Sequence, residues 1–135
     1  MKRETTNFIV IHCSDSDISE HDNIDVIRVW HLERGFSDVG YHYFIKNDGT
    51  IQEGRHHSMV AAHCYGQNKK SIGICLSGRY SFTDEQFKSL HMLIIKLWGK
   101  YGEDLPVFGH YDFSKKTCPN FDVSEFLTEY NLNKE

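Results

Sequence analysis

The stretch Phe8-Ile9-Val10-Ile11-His12 decides how this chain folds. Four apolar residues follow one another without polar alternation, the pattern of a strand buried on both faces in the middle of an α/β sheet. His12 is the first polar group after the run, so it is expected where the strand emerges at a sheet edge, the place where ligands bind in such folds.

Outward from this strand the elements follow in order. Ile24, Ile27, Trp30 and His31 recur at helical spacing behind Asp22 and Asn23, and Gly35 supplies a stop. Tyr41-His42-Tyr43-Phe44-Ile45, then Asn47-Asp48-Gly49, then Thr50-Ile51-Gln52-Glu53 reads as a hairpin, because Asp-Gly meets the positive φ of a tight turn. Ser71 to Leu76 is a second buried strand. Thr83 and Gln86 form a capping box ahead of Phe87, Leu90, Ile94, Leu97, Trp98 and Tyr101, a long helix closed by Gly102. Pro106-Val107-Phe108 is a short last strand ending at Gly109 and His110, and a final helix covers Asp122 to Tyr130. This order predicts an α/β fold: a single domain over residues 1–135 with a central mixed β-sheet of about five strands flanked by helices.

The bulk composition agrees. A chain of 135 residues and 15.8 kDa suits one domain, and 39% hydrophobic residues fill one core. A net charge of −4 and a pI near 6.1 argue against a nucleic-acid partner, which needs a basic surface. No secretory signal is visible, and no apolar run approaches the ~18 residues of a membrane span. Cytosolic synthesis without a signal peptide, and no membrane partner, are therefore expected. Cys13, Cys64, Cys75 and Cys118 contain no CxxC pair and do not read as a disulfide framework.

Chemistry concentrates in Gly109-His110-Tyr111-Asp112-Phe113-Ser114-Lys115-Lys116-Thr117-Cys118-Pro119, which reads as half of a zinc site through His110 and Cys118. With His12 as a third donor, two imidazoles and a thiolate leave the fourth tetrahedral position to water, as catalytic zinc requires. His12 and His110 both follow strands, so they meet only if those strands end on the same side. Singly, His12 reads as well as a satisfied strand-end histidine, and Cys118 as a buried thiol. Lys116 lies two residues before Cys118. In an extended segment both face one way, and the ammonium could stabilise an oxyanion; the alternative is a solvated loop lysine like Lys115. Tyr41 could hydrogen-bond the attacking water or the tetrahedral intermediate, or simply pack the core. Of the nine histidines, His21, His31 and His91 read as surface or boundary residues. Arg55, His56, His57, Gln67 and Asn68 are loop polarity that could equally contact a substrate.

The pieces Ile9-Val10-Ile11-His12-Cys13-Ser14, Ile27-Arg28-Val29-Trp30-His31, Asp38-Val39-Gly40-Tyr41-His42, Lys46-Asn47-Asp48-Gly49-Thr50, Ala62-His63, Asn68, Ser71-Ile72-Gly73-Ile74 and Lys116-Thr117-Cys118-Pro119 occur in that order. Together they resemble the zinc-dependent N-acetylmuramoyl-L-alanine amidases of the phage-lysozyme type, a group related to peptidoglycan recognition proteins, over about residues 8 to 123. The resemblance implies a zinc ion (Zn2+) held by His12, His110 and Cys118, a reaction assisted by Tyr41, and a transition state stabilised by Lys116. It also implies a place for His63 in the substrate cleft, with Asn68 a candidate contact there. The implied reaction cuts the amide between N-acetylmuramic acid and L-alanine in bacterial peptidoglycan. The implied setting is a phage or prophage endolysin that acts on the wall after release by a separate membrane-lesion protein.

Rival settings share parts of this pattern. A non-catalytic recognition module keeps the fold but typically lacks the cysteine ligand, present here as Cys118. A bacterial wall-remodelling or toxin amidase uses the same chemistry. A non-metal cysteine hydrolase built on Cys118 or Cys13 leaves Lys116 and the second histidine unexplained. Some phage members also bind an RNA polymerase, and the short lead Met1 to Asn7 weighs against that second activity here.

Overall fold

The computed structural model describes residues 1–133, and β1 (Phe8–Cys13) runs through the interior of its sheet. Ile9, Val10 and Ile11 have no exposed surface, which explains why the run lacks polar alternation. Next come α1 (Ile24–Glu33), β2 (Tyr43–Ile45), β3 (Ile51–Glu53), β4 (Ser71–Leu76), α2 (Asp84–Tyr101), β5 (Val107–Gly109) and α3 (Val123–Glu129). The five strands lie in the order β3-β2-β4-β1-β5. Only β2 and β3 pair antiparallel; β2–β4, β4–β1 and β1–β5 are parallel, so the sheet is mixed, as the order of elements predicts.

Strand alternation divides the side chains between two faces. Ile9, Ile11, Ile72, Ile74 and Leu76 pack with Leu90, Leu93, Ile94 and Leu97 of α2 and Val123 and Phe126 of α3. On the other face, Phe44 and Cys75 meet Ile24 and Ile27 of α1 and Val39. That second layer is the thinner one, and His12 points into it, out of phase with Ile9 and Ile11.

The helix starts follow local chemistry. Asn23 caps α1 by accepting from the Asp25 N–H at 2.8 Å, and Asp122 caps α3 by accepting from Glu125 at 3.1 Å. Thr83 and Gln86 make both bonds of the capping box on α2. The hairpin turn falls at Asn47-Asp48-Gly49 as expected, with the Gly49 N–H closing it on the Lys46 carbonyl at 2.9 Å. Lys46 to Thr50 connect the strands, closed by the Lys46 N–H on the Thr50 carbonyl at 2.9 Å, and of Asp48 and Gly49 only Gly49 has positive φ, at 89°. Asp48 also accepts from the Thr50 N–H through its side chain at 2.9 Å, bracing the turn where it enters β3. Among the described residues no helix is long and apolar enough to cross a membrane.

His12, His42 and His63 are all buried. His42 accepts from the Gly73 N–H at 3.0 Å and donates to the Met59 carbonyl at 2.7 Å, tying the residue before β2 to β4 and to the loop beyond β3. Burial pulls its pKa from 6.5 to about 4. The unfolded chain takes up this proton first as pH falls, so stability is full above 6.5 and is lost on the way down to 4. In chelator-treated protein, urea unfolding should therefore report a loss on the order of 3 kcal/mol from His42 across that window. His42→Asn should flatten the pH slope, whatever its absolute stability; parallel slopes for variant and wild type would exclude this role.

Candidate active site

The parallel register of β1 with β5 pairs Ile11 with Gly109, the last pair between them: β5 ends there, while β1 continues through His12 to Cys13 against β4. His12 and His110 each follow that pair, so they emerge side by side with ring centroids 4.6 Å apart. The condition set by two strand-end histidines is met because the strands run the same way.

Cys118 arrives on the loop that leaves His110. A short turn over His110–Asp112 reverses the chain, with the Gly109 N–H on the Asp112 carboxylate at 3.0 Å. The Tyr111 N–H then bonds the Cys118 carbonyl at 2.9 Å, and the Cys13 N–H donates to Cys118 Sγ at 3.1 Å. Beyond a cis Cys118–Pro119 bond, Asn120 anchors the loop by donating to the Arg79 carbonyl at 2.8 Å. One donor atom from each of His12, His110 and Cys118 lies within 4.8 Å of the others.

The electrostatics suit a cation among these three groups. Burial first, then His63, His110 and Lys116, hold the His12 pKa well below the usual imidazole range. Burial and then Lys116 lower His110. Both rings are therefore neutral near pH 7, with lone pairs available for a metal. The Cys13 thiol, followed by burial, pushes Cys118 up, so without a cation the sulfur keeps its proton. A metal bound here would take the place of that proton, and the Cys13 N–H already donates to the sulfur, as a thiolate would require. Two nitrogens, one sulfur and an open side toward a groove fit zinc.

The groove has a volume of about 590 Å³. His12, Tyr41, His63, His110, Lys116 and Cys118 all line it. Tyr41 is stacked obliquely 5.1 Å from His12; burial, then the Cys75, Cys118 and Cys13 sulfurs, raises its pKa well above 10 and keeps the phenol protonated. Lys116 is solvent-exposed, yet its charge acts on both His12 and His110, placing the ammonium at the rim beside them.

His63 sits behind His12, with Nδ1 2.8 Å from His12 Nε2. Burial, then His42 and His110, lowers its pKa to about 3, so the ring is neutral. Asn68 does not line the groove: its Oδ1 accepts from the His63 and Cys64 N–H groups at 2.8 and 2.9 Å and holds the His63 loop. The other loop residues are also engaged elsewhere. Arg55 donates to the Val39, Val60 and Asp38 carbonyls, and His57 bonds the Tyr101 hydroxyl.

Sequence reasoning missed the wall that α1 and the turn after it supply. Trp30, His31, Arg34 and Phe36 face the groove. His31 accepts from the Gly40 N–H at 2.8 Å through Nδ1, which leaves its proton on Nε2. The available signal was its place four residues after Ile27, a polar ring on the apolar stripe of α1.

The sequence pattern of the N-acetylmuramoyl-L-alanine amidase family matches residues 2–121. The endolysin of Escherichia phage T7 is 39% identical over 97% of this chain and 91% of its own length. That of Enterobacteria phage T3 is 40% identical over 96% and 91%. Among solved structures, the endolysin N-acetylmuramoyl-L-alanine amidase LysCS of Clostridium intestinale superposes with a TM-score of 0.85 at 32% identity, covering 96% of this chain and 86% of that one. The Apis mellifera peptidoglycan recognition protein PGRP-SA gives 0.80 at 27% identity, with 95% and 88% covered. A family match spanning nearly the whole fold, with the groove and its donor set in place, means that this chain belongs to the N-acetylmuramoyl-L-alanine amidase family.

Proposed function

We propose that this amidase is a zinc-dependent phage or prophage endolysin that hydrolyses the bond between the lactyl group of N-acetylmuramic acid and L-alanine in bacterial peptidoglycan. The observation that carries the zinc reading is the meeting of His12, His110 and Cys118 at one end of β1 and β5. The phage endolysins of similar length and about 40% identity support the setting.

His12, His110 and Cys118 would hold the metal, which when bound supplies Lewis acidity and a water with a pKa lowered towards ~7. The residues around it act on the substrate. Lys116, at the rim, places a positive charge where the scissile carbonyl oxygen becomes negative. Tyr41 stays a phenol and can donate its O–H to that oxygen or orient the water. Trp30 and Phe36 give the groove an apolar wall, and Arg34, whose guanidinium lies 5.0 Å above the Phe36 ring, adds a second positive charge. His63 forms part of the inner wall, and Asn68 holds its loop from outside the groove. One water is consumed and the carbon–nitrogen bond breaks. The products are a lactyl carboxylate and a free L-alanine amine.

A binding-only recognition module remains the second reading, because this fold is shared with peptidoglycan recognition proteins. Cys118 favours catalysis: a groove that only binds does not need a thiolate ligand beside an exposed lysine.

Purified peptidoglycan incubated with the protein should yield new L-alanine amino termini without new reducing sugar ends. Chelator should stop the release and added zinc restore it. Binding without release would establish the recognition module, and chelator-insensitive release would exclude the metal mechanism. Cys118→Ser should lose both zinc and activity. Lys116→Ala should keep one zinc per chain while kcat falls about 10²- to 10³-fold, the scale for removing one oxyanion-stabilising donor. A fully active Lys116→Ala enzyme would remove Lys116 from the reaction.

A further inference from the structure

Behind His12 a chain of hydrogen bonds runs away from the groove and ends on a group that can only accept. The Ser71 hydroxyl, fully buried at the start of β4, donates to the Gln67 carbonyl at 2.7 Å. That is the shorter of its two bonds and its partner can only accept, which assigns the hydroxyl hydrogen to it; toward His63 Nε2, 3.1 Å away, the Ser71 oxygen then accepts. His63 Nε2 therefore carries the proton. In the neutral ring Nδ1 is then bare, and 2.8 Å away it accepts from His12 Nε2. His12 thus holds its proton on Nε2, which leaves Nδ1 as its unprotonated nitrogen and the one free to join the His110 and Cys118 donors.

Two further features keep this chain in place. A Cβ on Gly73 would lie 2.5 Å from the His63 ring, so only glycine lets the imidazole rest flat against β4. Asn68 Oδ1 ties down the main chain of His63 itself. His63 is 7% exposed and His12 1%, so water does not compete for these bonds.

We infer that Ser71 and His63 are positioning residues for the metal: the Gln67 carbonyl, through Ser71 and His63, selects the tautomer of His12 that ligates through Nδ1. The inference rests on the zinc reading of His12, His110 and Cys118. A ligating histidine that is not held by its other nitrogen divides between tautomers and rotates, and loss of such outer partners commonly costs about 10- to 100-fold in metal affinity. The glycine at 73 and the asparagine at 68 serve the same end, by fixing the ring that fixes His12.

The test uses zinc-loaded protein with nitrogen-15-labelled histidine, read by long-range nitrogen–proton NMR correlation. For the wild type, His12 should show a metal-bound Nδ1 with a protonated Nε2, and His63 a protonated Nε2 with a bare Nδ1. If no histidine nitrogen responds to zinc, the zinc reading itself fails. If His12 binds through Nε2, or His63 is protonated on Nδ1, the zinc reading stands and the positioning chain is wrong. Ser71→Ala should then mix the His63 tautomers and weaken zinc about 10- to 100-fold in competition with a chelator. An unaltered His63 spectrum with unaltered zinc affinity in Ser71→Ala would overturn the role of Ser71. Should that variant misfold, the wild-type spectrum alone decides the tautomers.

Discussion

The parallel pairing of β1 with β4 on one side and β5 on the other is the constraint on which the site depends. It aligns the carboxyl ends of three strands and sets His12 and His110 next to each other. Because side chains alternate along a strand, a slip of one residue would turn His12 into the layer under α2 and bring Ile11 or Cys13 to the groove. The difference between the two layers opposes such a slip, since it would carry the His12 imidazole into the apolar layer under α2 and away from its His63 hydrogen bond. The run of apolar residues that fixes the fold thus also positions His12, the first of the three candidate metal donors.

On that frame the groove joins an unusual set of environments. Its inner wall is a stack of buried, neutral imidazoles held by hydrogen bonds, while its rim carries Lys116 and Arg34. Lowered imidazole pKa values and a rim cation come from the same arrangement: burial and nearby positive charge keep protons off the donor nitrogens. The Cys13 thiol and burial raise the pKa of the Cys118 thiol, while the Cys13 N–H already donates to its sulfur. The chain carries a net charge of −4, yet this groove presents the positive groups Lys116 and Arg34, which favour an anionic group there.

Most of the fold is legible in the sequence because its signals are local: the apolar run of β1, the Asn23 and Thr83 caps, and the stripe of α2. The hairpin turn is legible in position but not in type, because Asp48-Gly49 suits several turn types and the choice is made by how β2 and β3 meet. His12, His110 and Cys118 are legible as donor types, but their meeting depends on strand direction. Asn68, Arg55 and His57 look like ligand contacts in a polar loop, whereas in the fold they satisfy main-chain groups or a tyrosine. The reverse holds for Ser71 and His31, which read as strand and helix residues. Their partners are defined only by packing, across a turn for His63 and Ser71 and across the gap between α1 and Gly40 for His31.

The metal centre is tested most directly by X-ray absorption at the zinc edge on the zinc-loaded protein. Two imidazoles, one thiolate and one water should give a single sulfur at about 2.3 Å and three nitrogen or oxygen neighbours at about 2.0–2.1 Å, with imidazole outer-shell scattering. A first shell without sulfur, or one made mostly of sulfur, would contradict a site built from His12, His110 and Cys118.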